Sequence, residues 1–367
     1  MACVGDVVAA METLAPPRLA VKGDPIGLHA GDRNSPVDRV AFALDASLDA
    51  IEAAAAWGAD MLVVHHPRFY GGISTLAVGD TTGDRARAIV RSGLAVYSAH
   101  TNFDMAKNGT NDQLAVLAGI TDAAPVTVEK HEALYKLAVF VPASHIDAVR
   151  EAITRAGAGA IGRYSDCTFR SKGTGTFLGS AGTSPFLGKP GVLEEAEEYR
   201  LETVFEECER ERVLRAMLAA HPYEEVAYDV YALVNGATRY GFGRVGELPE
   251  KETLGALAKR MARLTGSSMA QLLGKPSRAV RRIAVWAGAG VHAADFACCD
   301  AEAVVVGEAG YHELENFHDM GMGVIALGHG FSEGHAMAWL AKEVGRLVPG
   351  CRTRVLRRSG PAVKNIL

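Results

Sequence analysis

The sequence predicts an α/β fold: two related α/β halves forming one core around a cleft, with an inserted α+β domain between them. Three observations carry this reading. Apolar strand-like runs alternate with helical segments near both ends of the 367-residue chain. Three of these runs end in histidines: Met61-Leu62-Val63-Val64 leads into His65-His66-Pro67, Leu94 to Ala99 into His100, and Val324 to Gly328 into His329. The middle of the chain changes rhythm, to strand-helix-strand twice over.

Taken in order, Asp6 to Leu14 reads as a short amphipathic helix with Val7, Met11 and Leu14 at helical spacing, stopped by Pro16-Pro17. Val40 to Asp45 reads as a strand, Leu48 to Trp57 as an Ala-rich helix, and the run ending at His65 as a second, parallel strand. A Gly-containing loop and a basic helix around Arg85 to Arg91 precede the strand ending at His100. The C-terminal part repeats the scheme. Arg282 to Ala287 resembles Arg39 to Leu44, and Ala301 to Glu308 resembles Ala59 to His66. His329, with Glu333 four residues on, answers His100 with Asp104 four residues on. Short apolar strands look alike by default, so the repeat rests on the order and on the matched His-x-x-x-acid endings.

Between the halves, Leu134 to Val141 reads as a strand closed by Pro142, and Ser144 as the N-cap of a helix from His145 to about Ala156. A polar, Gly-rich run from Ser171 to Gly191 follows, then a strand at Tyr199 to Phe205, a helix at Glu209 to Ala220 and a strand at Glu225 to Leu233. This is a ferredoxin-like plan. The domains expected are therefore residues 1–129 and 236–367 for the core and 130–235 for the insert. Ser171-Lys172-Gly173-Thr174-Gly175-Thr176 lacks the spacing of a phosphate loop and opens no helix, so it reads as a hairpin or an oligomer contact. His221-Pro222-Tyr223-Glu224-Glu225 reads as a turn lining an interface.

Composition narrows the function classes. A formal charge of -5 argues against nucleic acid as a partner. The N-terminus has no basic region of a signal peptide, and no run approaches a membrane span. The six cysteines form no C-x-x-C pair, a reduced, cytoplasmic pattern.

A lone histidine after an apolar run is usually a satisfied core or loop residue. Three such junctions, two with a carboxylate at the same offset, favour a metal centre instead. Adjacent histidines at a strand end project in different directions, so His65 and His66 suit two neighbouring divalent ions better than one. Glu333 or Asp104 could bridge such a pair. Imidazole and carboxylate donors suit Zn, Mn, Fe, Co or Ni, and the sequence does not choose among them.

Val63-Val64-His65-His66-Pro67, Ala99-His100-Thr101-Asn102-Phe103-Asp104 and Gly328-His329-Gly330-Phe331-Ser332-Glu333 together resemble the GTP cyclohydrolase 1 type 2 homologues, the NGG-interacting-factor-three-like family. Met11 to Pro16, Gly307-Glu308 and Tyr311-His312 extend the resemblance nearly end to end. The insert, from Tyr135-Lys136-Leu137 to His221-Pro222-Tyr223-Glu224, is similar to the CutA/P-II-like domain of the longer bacterial members. The resemblance implies two divalent ions, one held by His65, Asp104 and Glu333 and the other by His66, His329 and a bridging Glu333. It places His100 and His312 behind the ligands or facing substrate, and it implies a homohexamer. One segment departs from the family: Gly23-Asp24-Pro25-Ile26-Gly27-Leu28 stands where many members carry Trp-Asp-Asn before the Gly-Leu pair.

The expected function is a binuclear metal hydrolase acting on a small molecule. His100 would be the catalytic acid or base, unless it merely bonds a backbone carbonyl beneath the sheet edge. The family name implies a nucleotide substrate and opening of the guanine imidazole ring of GTP with loss of formate. The alternative is a non-catalytic metal-handling or regulatory protein with a sensor-like insert.

Overall fold

The computed structural model describes residues 2–67, 72–162, 164–235 and 238–356. Helix α1 (Val4–Leu14) buries Val4, Val7, Val8 and Met11, the stripe that its spacing dictates. Strands β1 (Gly27–Ala30) and β2 (Arg39–Asp45) follow. The N-cap of α2 (Leu48–Ala56) is Ser47, whose side chain accepts from the Ala50 amide. Next come β3 (Met61–His66), α3 (Thr81–Ser92), β4 (Ala95–Ser98), the short α4 (Thr101–Met105), α5 (Thr110–Ala118) and β5 (Thr121–Ala124).

The middle of the chain forms β6 (Lys130–Glu132), β7 (Leu134–Pro142), α6 (Ile146–Arg155), β8 (Thr168–Leu178), β9 (Leu193–Glu206), α7 (Arg210–Ala220), β10 (Tyr228–Ala232) and β11 (Thr238–Tyr240). The last part runs β12 (Arg244–Thr253), α8 (Leu254–Thr265), β13 (Gln271–Leu273), β14 (Ala279–Trp286), β15 (Ala303–Val306), α9 (Tyr311–Asp319), β16 (Gly323–Ala326), α10 (His329–Glu333), α11 (Ala336–Leu347) and β17 (Arg352–Val355).

The chain divides into two compact units: Met1–Glu129 with Tyr240–Leu367, and Lys130–Arg239. Residues 236 and 237, where the sequence reading starts the second half of the core, lie outside the described residues.

The first unit contains two sheets of matching plan. One has the order β1-β4-β3-β2-β17 and the other β13-β16-β15-β14-β12-β5. In each, an antiparallel edge strand (β1 or β13) leads into three parallel strands in reverse chain order. The two halves also exchange elements, which the sequence reading missed. Strand β17, near the C-terminus, pairs in parallel with β2 of the first sheet, while β5, from the N-terminal part, pairs with β12 of the second. The helices follow the strands. Ala336, Met337, Leu340 and Val344 of α11 share a core with Val40, Phe42, Met61 and Tyr97 of the first sheet. Leu114, Ala115 and Ala118 of α5 share one with Ile283, Val285, Val305 and Ile325 of the second. Each His-x-x-x-acid junction therefore lies where the chain leaves one sheet to cover the other. The exchange is why the ligand-bearing ends of both sheets converge.

The second unit contains a four-stranded antiparallel sheet of order β10-β7-β9-β8. With α6 after β7 and α7 after β9, this is the split β-α-β arrangement of a ferredoxin-like fold. Two details differ from the sequence reading. Helix α6 is capped by His145 without a side-chain bond, and Ser144 Oγ instead lies 2.9 Å from His145 Nδ1. The strand read from Tyr199 begins at Leu193, and β8, which takes up the polar run only from Ser171 to Leu178, pairs with it from Thr168↔Thr203 to Leu178↔Leu193 as a hairpin.

Candidate metal centre

Three strand ends of the first unit build the cluster. β3 delivers His65 and His66, the segment after β4 delivers His100 and Asp104, and α10 after β16 delivers His329 and Glu333. The ring-nitrogen and carboxylate donors form three overlapping groups: His65 with Asp104 and Glu333, His66 with His329 and Glu333, and His65 with His66 and His100. All six candidates from the sequence thus come together. His312, which the resemblance placed behind the ligands or facing substrate, does not join these groups. Its exposed side chain pairs with Glu315 at 3.2 Å.

Each imidazole in the cluster is oriented through Nδ1. His65 Nδ1 lies 2.7 Å from the Ala99 carbonyl, His66 Nδ1 3.0 Å from Asp45, and His329 Nδ1 2.7 Å from Glu308. These partners are acceptors, so in the neutral ring Nδ1 carries the proton and Nε2 presents a lone pair. His100 Nδ1 lies 3.0 Å from Asp24 Oδ1, and that carboxylate also accepts from the backbone amide and the hydroxyl of Thr101. The reading of His100 as a residue tied to a backbone carbonyl is therefore replaced by a carboxylate-held imidazole. Thr110 donates its hydroxyl to Asp104.

The Nε2 atoms turn towards the two acids. His66 and His329 Nε2 stand 3.1 and 3.3 Å from Glu333 Oε2 and 3.2 Å from each other. His65 Nε2 is 3.4 Å from Asp104 Oδ1 and 3.7 Å from Glu333 Oε1. The approaches to the two acids lack hydrogen-bond geometry, so among the described residues His65 Nε2 and Glu333 Oε2 end buried without a hydrogen-bond partner. Buried polar atoms left without partners are costly. Imidazole lone pairs converging on buried carboxylates are satisfied together by a divalent cation, so these residues fit one.

The charges reflect the same convergence. Burial works against the Glu333 carboxylate, but the close imidazoles of His329, His65 and His66 hold it well below the usual range. Burial, the largest influence on Asp104, raises its carboxyl. Burial also opposes protonation of His66, yet Asp45 and Glu333 raise it to about 9. Glu333 raises His329 to about 9 against burial.

In metal-free protein, the stabilisation from a raised imidazole is complete below its ordinary pKa of 6.5 and lost as pH rises through about 9. A cation needs those nitrogens deprotonated. The rise in Tm on adding manganese or cobalt should therefore grow between about pH 6.5 and 8.5. A rise that shrinks over that interval, measured by scanning fluorimetry, would contradict the arrangement.

The floor beneath Glu333 is backbone. Gly288 follows β14 with φ +75°, and a Cβ there would lie 2.2 Å from Glu333 Oε1. A Cβ on Gly307 would lie 2.1 Å from the Gly288 carbonyl. Ser332 ties this floor to α10, accepting from the Gly288 amide at 2.9 Å and donating to the His329 carbonyl at 2.6 Å. Gly288→Ala should displace Glu333 and lower metal affinity by roughly tenfold or more, with a modest loss of stability from the strained φ. Unchanged metal affinity by calorimetry would show that the floor does not position the acid.

Reading the sequence for donors missed Asp45, Glu308 and Asp24 as orienting acids. Two carried a signal. Asp45 ends a strand beside the one ending in His66, and the register pairs these two residues. Glu308 follows β15, which holds the place in the second sheet that β3, the strand of His66, holds in the first. The repeat is not exact at the third junction. His100 caps α4 from outside, whereas His329 is the first residue of α10, a one-residue offset that places the two imidazoles differently.

Fold and cluster define a class of protein: a two-sheet α/β core whose strand ends assemble a histidine-carboxylate site suited to divalent metal. The chain belongs to the family described as Duf34/NIF3 (NGG1p interacting factor 3), which it matches over residues 2–357. It is 40% identical to the GTP cyclohydrolase 1 type 2 homolog of Halalkalibacterium halodurans, over 88% of this chain and 87% of that protein. It is 34% identical to the protein of the same name from Bacillus subtilis, again over 88% and 87%. Among solved structures, a Bacillus cereus protein related to NIF3 superposes with a TM-score of 0.88 at 33% identity, covering 98% of both chains.

Proposed function

We propose that the protein is a binuclear metal hydrolase acting on a small nucleotide or related heterocycle. The observation that carries this is the convergence of three Nδ1-anchored imidazoles on two buried carboxylates, with His65 Nε2 and Glu333 Oε2 left without hydrogen bonds among the described residues. In this reading His65, Asp104 and Glu333 hold one divalent ion, and His66, His329 and Glu333 the other. Such a pair supplies Lewis-acid polarisation of the electrophile and an acidified water.

The chain's own groups do the rest. Asp45, Glu308 and the Ala99 carbonyl fix the ligand tautomers. Asp24 fixes the proton on His100 Nδ1, which assigns proton exchange with substrate to Nε2. The name shared by the relatives supports a guanine nucleotide as substrate. In hydrolytic opening of a purine imidazole ring, water adds at C8, the C8–N9 bond breaks and the departing nitrogen takes up a proton. We assign delivery of that proton to His100.

We also read the chain as a core of two related halves, residues 1–129 and 236–367, interrupted by a CutA/P-II-like insert at 130–235. The shared strand order and the β-α-β-β-α-β topology support this. Assembly as a cytoplasmic homohexamer is proposed from the family resemblance. Among the described residues no helix is long and apolar enough to cross a membrane. Light scattering reporting a monomer at micromolar concentration would remove the hexamer.

The test of function is metal analysis of the native protein followed by turnover assays on GTP and related heterocycles, with Glu333→Gln as control. Metal-dependent ring opening, lost in the variant, is the expected result. Stoichiometric metal without turnover on any of these compounds would favour a metal-handling protein instead.

A further inference from the structure

We propose that the ferredoxin-like unit carries a binding site of its own for a small organic cation, such as an amidine or amine on a planar or apolar body. The site is a cavity of about 410 Å³ walled by Phe140, Phe177, Phe186 and Tyr223, with Glu198 in its lining. This is within the size range of small-molecule pockets.

Strand register explains its position. Leu137, Val139, Val141, Leu201 and Phe205 pack into the core with α6 and α7. Phe140 pairs with Arg200, Pro142 with Glu198, Gly175 with Ala196 and Phe177 with Glu194. Phe140, Glu198, Gly175 and Phe177 thus share the opposite face of the sheet.

Glu198 is the chemical reason for a cation. It is only 8% exposed, yet among the described residues its carboxylate accepts one hydrogen bond, from the Tyr223 hydroxyl to Oε1 at 2.9 Å. Among the described residues, no lysine, arginine or histidine pairs with it or lines the cavity. Arg200, which lies over Phe140 on the same face, is engaged by Glu202 at 2.8 Å. Two more acids, Glu224 and Glu225, line the cavity, and Glu224 accepts from the Ser184 amide at 3.0 Å. A buried carboxylate with so little compensation requires a donor or a positive charge.

The backbone makes room for that acid. Gly175 stands mid-strand, where glycine weakens a sheet, and a Cβ there would lie 2.2 Å from Glu198 Oε2. His221 holds Tyr223 in place. One ring nitrogen lies 2.9 Å from the Phe140 carbonyl while the other accepts the Tyr223 amide at 3.2 Å. The Tyr223 ring stands 6.1 Å from both Phe177 and Phe186. Aromatic faces around a carboxylate suit a cation with an apolar body. This assigns a role to His221-Pro222-Tyr223-Glu224-Glu225 that the metal centre does not use.

Calorimetric titration of the full-length protein with benzamidine, in chelator so that the metal centre does not contribute, tests the site. Saturable binding is expected, with neutral benzamide at least about tenfold weaker. Glu198→Gln, which keeps an acceptor for Tyr223, should weaken benzamidine about tenfold without changing the circular dichroism or the oligomer mass. Phe186→Ala, at a half-exposed loop position, should weaken it comparably and does not depend on the fate of the buried acid. Equal binding of benzamidine and benzamide, or undiminished benzamidine binding by both variants, would overturn the proposal. So would dissociation of the oligomer in both variants without loss of benzamidine affinity, which would make the cavity a contact between copies of the chain.

Discussion

Replacing Glu333 by glutamine is expected to lower affinity for divalent metal by about a hundredfold or more and to abolish any metal-dependent turnover. Glu333 is 3% exposed and faces His65, His66 and His329 at once. The amide keeps the volume but removes the charge and turns one acceptor into a donor, which would face imidazole nitrogens. His66 and His329, now held at about 9 chiefly through this carboxylate and Asp45 or Glu308, should titrate nearer the ordinary imidazole value. Calorimetry and the metal-induced shift in Tm read both effects. A variant that retains the wild-type metal content would contradict the role assigned to Glu333.

The second large effect is on stability. Arg244, 4% exposed, donates to the Gly241 and Gly243 carbonyls at 2.8 and 2.7 Å and to the Met105 carbonyl at 3.4 Å, and it pairs with Asp112. It thereby ties β12 to the end of α4, which carries Asp104, and to the start of α5. Arg244→Met leaves three carbonyls and a carboxylate without their buried donor. A loss of about 3–5 kcal/mol is expected, a fall in Tm of roughly 10 °C. The exposed pair Arg346–Glu343, at 2.9 Å, is the control: Arg346→Ala should change stability by about 0.5 kcal/mol or less. Equal effects of the two substitutions would show that the buried network contributes nothing special.

Much of the site was legible because its donors sit at the ends of apolar strands, where local pattern and chemistry coincide. His65 and His66 follow four buried residues, and the acids Asp104 and Glu333 fall one helical turn past a histidine. The orienting acids were harder to see. Asp24 lies in an irregular segment with no periodicity, and its link to His100 spans 76 residues. The order of strands and helices in the core was legible, but the exchange of β5 and β17 between sheets was not. Thr121–Ala124 is exposed throughout and Arg352–Val355 nearly so, which leaves no apolar signature to mark a strand or to say which sheet it joins. The run after Ser171 was read as a hairpin or an oligomer contact, but the length of β8 and β9 was not legible, because their glycines and charges leave no apolar alternation to mark the strands.

The most direct test of the metal centre is an anomalous-scattering map from crystals grown or soaked with manganese or cobalt. Two peaks roughly 3.5–4 Å apart are expected, as in other two-metal sites. One should lie among His65, Asp104 and Glu333 and the other among His66, His329 and Glu333, with His100 beside them and still held by Asp24. A map from metal-replete crystals with no peak among these residues would contradict the account.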